Sequence, residues 1–204
     1  FLQAAALGFT AAVSPGPFQT YLISQSLLGG WRRGAPVAFA PLISDAPIIL
    51  FSLFVLDRLP GYTLRIISFL GGLFVIYLAW GLLKSWRKNP GEARGLEPRN
   101  NPARMEMTGL RRGVIANFLS PGPYLFWGLV NGPLLLSALR QSPLHGGGFL
   151  LGFYGMMVTC LLGIALIFTQ ARRFGPRLVR ALLLVSALVL LVFSGLLLKQ
   201  GIWG

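Results

Sequence analysis

The sequence predicts an all-α integral membrane protein. Its six transmembrane helices form two inverted three-helix repeats, and the first helix of each repeat is broken at Ser-Pro-Gly-Pro. Three observations carry this expectation. Of 204 residues, 54% are hydrophobic and only 11% are charged, whereas an ordinary soluble domain carries about 25% charged residues. The charges fall in short clusters separated by long uncharged stretches. The tetrapeptide Ser-Pro-Gly-Pro occurs twice, at residues 14–17 and 120–123.

A membrane span needs about 20 mostly apolar residues. Dividing the chain at its charged clusters leaves six such segments, 1–29, 34–56, 63–83, 113–139, 146–171 and 178–198. The first is too long for a signal-peptide core and is expected to remain as helix 1. As one straight helix it would run about 43 Å, more than the bilayer's hydrocarbon requires, so something must interrupt it.

Counting Lys and Arg by connection sets the orientation. The first, third and fifth connections hold fourteen of them: Arg32 and Arg33; then Lys84, Arg87, Lys88, Arg94, Arg99, Arg104, Arg111 and Arg112; then Arg172, Arg173, Arg177 and Arg180. The second and fourth connections and the C-terminus hold four: Arg58, Arg65, Arg140 and Lys199. The odd connections are therefore expected in the cytoplasm and both termini outside. The net charge of +13 is thus topological. No aromatic-basic groove or nucleic-acid motif accompanies it, so no nucleic-acid partner is expected.

The polar stretch 87–108 carries Pro90, Pro98 and Pro102 and almost no apolar residues, so it is expected to be a mobile cytoplasmic linker. It separates a first three-helix repeat, 1–86, from a second, 109–204. Each half has an odd number of spans, so the second enters the membrane from the opposite side. The halves must then be related by inversion, and Gly/Pro-interrupted helices at matching positions of inverted halves are a transporter pattern.

The interruption follows from residue chemistry. Pro15 and Pro17 lack an N–H and clash with the preceding turn, and Gly16 adds backbone entropy; Pro121, Gly122 and Pro123 repeat the arrangement. A serine followed by proline also suits an N-cap and first helical position, so new helices are expected to start near Pro17 and Pro123. Their N-terminal amides suit a carboxylate, and carbonyls freed at the breaks suit an ammonium group. A small zwitterion held between the two breaks, near the midplane, is the expected solute. The substrate-binding candidates are Ser14, Pro15, Gly16, Pro17, Gln19, Asn117, Ser120, Pro121, Gly122 and Pro123.

Asp45 is the one acid well inside a predicted span. An intramembrane carboxylate is expensive and points to function; with no intramembrane Lys or Arg to pair with, Asp45 is the candidate for proton coupling. Tyr124, Trp127 and Asn131 follow the second break and face either cavity or lipid. Gly148, Gly152, Gly155, Thr159 and Gly163 recur at helical spacing and are expected to form one smooth face for close helix packing. A single cysteine, Cys160, and a single histidine, His145, exclude a disulfide, a redox pair and a His or thiolate metal centre. No cofactor is expected. No nucleophile, base and orienting group come together and no phosphate loop is present, so the chain does not read as an enzyme.

Gly8, the first Ser14-Pro15-Gly16-Pro17, the run Gly29-Gly30-Trp31-Arg32-Arg33-Gly34 and Asp45 resemble the first half of the lysine exporter (LysE/RhtB) family of small bacterial amino-acid exporters. Gly113, Asn117, Ser120 and Pro121 are similar to that family's Gly-x-x-x-Asn-x-x-Asn-Pro-Lys. Here Ser120 replaces the second asparagine and Gly122 the lysine, so the second half is more like the first. The resemblance implies proton-driven export of amino acids or similar small metabolites across the bacterial inner membrane, in a family whose members are often homodimers. The alternatives are a divalent-cation exporter, which would want several intramembrane carboxylates, and another small-solute or lipid translocator of the same superfamily.

Overall fold

A long apolar stretch without charge can satisfy its backbone within its own segment inside a bilayer as a helix, and helices are what the described residues form. The computed structural model describes residues 1–54, 62–87 and 102–203, and among them there is no strand. The helices are α1 (Leu2–Val13), α2 (Pro17–Gly29), α3 (Trp31–Ala38), α4 (Ala40–Phe54), α5 (Tyr62–Arg87), α6 (Pro102–Phe118), α7 (Pro121–Phe126), α8 (Gly132–Gln141), α9 (Pro143–Ala171) and α10 (Pro176–Trp203). A π-helical turn, Trp127–Asn131, joins α7 to α8, and a 3₁₀ turn, Arg172–Phe174, follows α9.

Four stretches are long and apolar enough to cross a membrane: Trp31–Ser52, Arg65–Lys84, Pro143–Phe174 and Pro176–Ile202. They overlie the second, third, fifth and sixth predicted spans. In the second, the chain turns at Phe39, whose N–H reaches back only to Pro36 O at 3.2 Å. The cause is Pro41, which cannot donate to the turn before it and disfavours helix at that point. The first and fourth predicted spans are each divided. One comprises α1 and α2; the other comprises α6, α7, the π turn and α8.

Helix α6 begins at Pro102, inside the stretch expected to be linker. Proline is at home in the first turn of a helix, where its missing N–H has no partner to lose. Residues 88–101 of that stretch, like Arg58, lie outside the described residues.

The burial pattern is that of a chain solvated by lipid. Large aliphatic residues such as Leu129, Leu151, Ile167 and Val192 face outward, while Ser24, Ser26, Ser44 and Asn131 are buried. The buried serines return their hydroxyls to their own helix: Ser26 donates to Leu22 O at 2.9 Å and Ser44 to Ala40 O at 3.1 Å. That back-bonding satisfies a polar group with no water to hand.

Helix α5 runs along α10, and α1 runs along α9, in the most extensive contacts of the fold; α3 and α4 pack on α6. The α1–α9 approach is close enough that a Cβ on Gly8 would collide with the carbonyl oxygen of Phe153. Likewise a Cβ on Gly71 of α5 would meet Leu119 O, at the point where α6 gives way to α7. The predicted glycine face of α9 behaves differently. Only Gly152 is pressed, with a Cβ there 2.9 Å from Phe1 O, while Gly148, Gly155 and Gly163 would meet nothing within 4 Å. Spacing identified a common face, but most of it looks outward rather than onto a neighbouring helix of the chain.

Candidate functional site: a cavity between two Ser-Pro-Gly-Pro segments

The two copies of Ser-Pro-Gly-Pro end and restart helices differently. In the first, Ser14 is the C-cap of α1: its N–H and hydroxyl both donate to Thr10 O, at 3.0 and 2.7 Å. Gly16, in extended backbone, is the N-cap of α2, and Pro17 occupies the first turn. The expected serine N-cap therefore falls to glycine here, because the helix restarts only at the second proline. In the second copy, α7 starts at Pro121 rather than Pro123, with Ser120 as N-cap and without a side-chain capping bond. Pro121 and Pro123 both fit into that first turn, where missing N–H groups leave no bond unmade.

The prolines also ration the amides. An α-helix leaves its first N–H groups without internal partners. In α2 those of Phe18 and Gln19 remain, and in α7 that of Gly122, since Pro17, Pro121 and Pro123 have none. Neighbouring side chains take up the carbonyls left at the interruptions. Gln19 Nε2 donates to Ala12 O at 3.0 Å, and Tyr124 Oη donates to Phe118 O at 2.9 Å.

Between the two segments lies a cavity of about 390 Å³, within the range typical of small-molecule sites. Ser14, Pro15, Gly16, Pro17, Gln19, Asp45, Asn117, Ser120, Pro121, Gly122 and Pro123 all line it. The structure thus brings every sequence-nominated site residue to one place. The rest of the wall is mostly apolar, including Phe18, Phe126, Trp127, Phe153, Met157 and Phe193, and among the described residues no Lys, Arg or His contributes to it.

Asp45, on α4, is 4% exposed and is held by donors from three other elements. Asn117 Nδ2 on α6 donates to Oδ1 at 2.8 Å and stands at the same distance from Ser44 Oγ. On Oδ2 converge Trp127 Nε1 of the π turn at 3.4 Å and Tyr154 Oη of α9 at 3.2 Å. A buried carboxylate needs such donors because nothing else there replaces its hydration. The indole and phenol rings also stack, with centroids 6.3 Å apart, and Phe153 meets the Trp127 ring edge-on at 5.3 Å.

Of the three residues left between cavity and lipid, Trp127 lines the cavity, while Tyr124 is buried against Phe51 and Phe118. Asn131 is wholly buried, and neither its Nδ2 nor its Oδ1 has a hydrogen-bond partner. Tyr154 escaped the sequence reading. The available signal was a phenol within a mostly apolar span, since a buried hydroxyl in lipid implies a polar partner.

The cavity has the form of a site for a small solute inside a helical membrane protein: concave, largely apolar, and fitted with a few polar groups. Among the described residues no three His, Cys, Asp or Glu side chains gather as metal ligands would. No curated protein and no solved structure matches the chain. The family model for the LysE type translocator matches residues 9–201. With nearly its whole length matched, the chain belongs to the LysE type translocator family, multi-pass membrane transporters of small solutes.

Proposed function

We propose that this transporter exports an amino acid or a similar small zwitterionic metabolite, with Asp45 coupling export to protons. The observation that carries the reading is the convergence of both Ser-Pro-Gly-Pro segments and one buried acid on a single cavity. The solute's carboxylate meets the first-turn amides of Phe18, Gln19 and Gly122. Its ammonium group meets the carbonyl lone pairs still open where α1 and α6 end. The apolar wall of Phe126, Phe153 and Met157 receives the remainder of the molecule.

Two inverted three-helix halves, 1–86 and 109–204, are part of the same proposal, and the packing supports it. The first span of each half lies against the second span of the other, α1 on α9 and α6 on α3 and α4, while the third spans α5 and α10 lie together. Exchange of partners of this kind is what a pseudo-two-fold axis in the membrane plane produces. The basic connections then lie in the cytoplasm of a bacterial cell, with both termini beyond the inner membrane.

The test is accumulation of a panel of labelled amino acids in inside-out proteoliposomes, with and without an imposed pH gradient, for wild type and Asp45→Asn. Gradient-dependent accumulation of one class, lost in the variant, supports both parts of the reading. Undiminished gradient-driven flux in Asp45→Asn removes the coupling role. If folded wild-type protein moves no amino acid, the zwitterion reading fails, and cations or lipids become the solutes to try.

A further inference from the structure

The polar and apolar parts of the cavity wall come from different helices. Its side-chain oxygens and nitrogens, those of Ser14, Gln19, Asp45, Asn117, Ser120 and Trp127, belong to the two broken spans and to α4. Helices α9 and α10 contribute Phe153, Met157, Leu161, Phe193 and Leu197, whose side chains carry no nitrogen or oxygen. The three on α9 stand at steps of four, on one face of the helix, and all three are buried. The hydroxyls in the same stretches are spent elsewhere. Thr159 donates to Gly155 O at 2.6 Å and Ser194 to Leu191 O at 2.7 Å, each within its own helix, and Tyr154 donates to Asp45.

A charged solute side chain finds no counter-ion in this cavity. Asp45 is the one acid among the described residues that lines it, and Asn117, Trp127 and Tyr154 already donate to that carboxylate. No described Lys, Arg or His lines it either. A side-chain ammonium or carboxylate would therefore be desolvated without compensation. Size argues in the same direction. At about 30 Å³ per water, a cavity of about 390 Å³ has room for on the order of a dozen waters. A solute as small as glycine leaves most of that volume as water against hydrocarbon, whereas each methylene that displaces water from such a wall is favourable.

From this division of the wall we propose that the solute is a neutral amino acid with a large apolar side chain, of the size of leucine, methionine or phenylalanine, selected by the α9 face of Phe153, Met157 and Leu161. The proposal rests on the zwitterion reading above: with the carboxylate and ammonium group held at the two breaks, the side chain extends to α9 and α10. Glutamine has nearly the shape of methionine, and asparagine that of leucine, but each would bring an amide to a wall that offers it no partner. The water bonds given up by that amide are then not replaced.

The measurement is self-exchange of a labelled amino acid in proteoliposomes loaded with the same unlabelled one, which needs no proton gradient and so does not depend on Asp45 coupling. A hydrophobic pocket disfavours an isostere that bears a hydroxyl by about a hundredfold. At one subsaturating concentration, methionine should therefore exchange about a hundredfold faster than glutamine, leucine should exceed asparagine similarly, and lysine, glutamate and glycine should all be slow. Met157→Gln, which places an amide on the selecting face, should lower the methionine-to-glutamine ratio by at least about tenfold. The ratio is taken on one preparation, so it does not depend on how much protein is folded. Leu161→Asn gives the same reading one turn further along α9 if Met157→Gln does not fold. Met156→Gln, the same change at a neighbouring residue that is 39% exposed, should leave the ratio as in wild type. Exchange of glutamine, lysine or glutamate as fast as methionine overturns the side-chain assignment and leaves the zwitterion reading standing. An unchanged ratio in the folded Met157 or Leu161 variant overturns selection by the α9 face. If folded wild-type protein exchanges no amino acid of any class, the zwitterion reading and this assignment fall together.

Discussion

Asn117 Nδ2 stands 2.8 Å from Asp45 Oδ1 and 2.8 Å from Ser44 Oγ, so a single amide ties α6 to two successive residues of α4. Replacing Asn117 with Leu leaves the buried carboxylate short of a donor. Interhelical hydrogen bonds within membranes are worth about 1–2 kcal/mol at most, and the loss should lie in that range. A double-mutant cycle on unfolding in bicelles, with Asp45→Asn as the partner, should return a coupling of at least about 0.5 kcal/mol, as expected for residues in contact. Additive effects would mean that the amide holds α4 through Ser44 alone.

The close approach of α1 to α9 depends on Gly8. A Cβ at that position meets backbone, the carbonyl oxygen of Phe153, which cannot swing aside as a side chain can. Gly8→Ala should therefore cost about 1–3 kcal/mol, the usual range for overpacking. Gly155→Ala, on the outward face of α9 with nothing within 4 Å, should be neutral or slightly stabilising by helix propensity. Thermal unfolding of both variants in one detergent makes the comparison. Equal effects would mean that the α1–α9 crossing relaxes freely.

That contrast also marks how far the sequence could be read. Charge clusters and apolar length are properties of single segments, so four of the spans were legible, and Pro and Gly act within a turn of where they stand, which is why helix ends at Val13 and Phe118 could be expected beside them. Even the cavity's wall was nominated, since matching interruptions and one intramembrane acid each signal on their own. What could not be read were pairings. Trp127 and Tyr154 find Asp45 across 82 and 109 residues, and nothing local to either names its partner. The glycines of α9 show the same limit from the other side. Their spacing defined a face, but which face another helix needs depends on Gly8 and Phe153, a fact of tertiary packing.

Asn131 closes the π-helical turn wholly buried, with neither end of its amide hydrogen-bonded. Such turns recur at functional positions, and a buried amide without partners costs about 1–3 kcal/mol. Asn131→Leu, with the same branching at Cγ and no polar atoms, should raise stability by up to about that amount, less whatever its larger methyl groups cost in packing, while impairing transport if the turn must rearrange. Unfolding and flux on the same preparation separate the two effects. A destabilised variant would show that the amide contributes to the folded state and that the π turn is not under polar strain.

Gly16 and Gly30 flank α2, and the same substitution should act oppositely at the two. Gly16 sits in extended backbone, φ −168°, which any residue adopts, and a Cβ there has nothing within 4 Å. Gly16→Ala removes freedom from the unfolded chain and should stabilise by about 0.4–1 kcal/mol. Gly30 holds φ +69° between α2 and α3, and a Cβ there would press on the Arg172 guanidinium. Gly30→Ala should cost about 1–3 kcal/mol from the left-handed backbone alone, and it should also push Arg172 away from the α2–α3 connection. Unfolding midpoints of the two variants test the pair. A stabilising Gly30→Ala would mean that this connection adopts another backbone in the membrane, whereas a destabilising Gly16→Ala would mean that the gap between α1 and α2 closes on Gly16 at some point in the transport cycle.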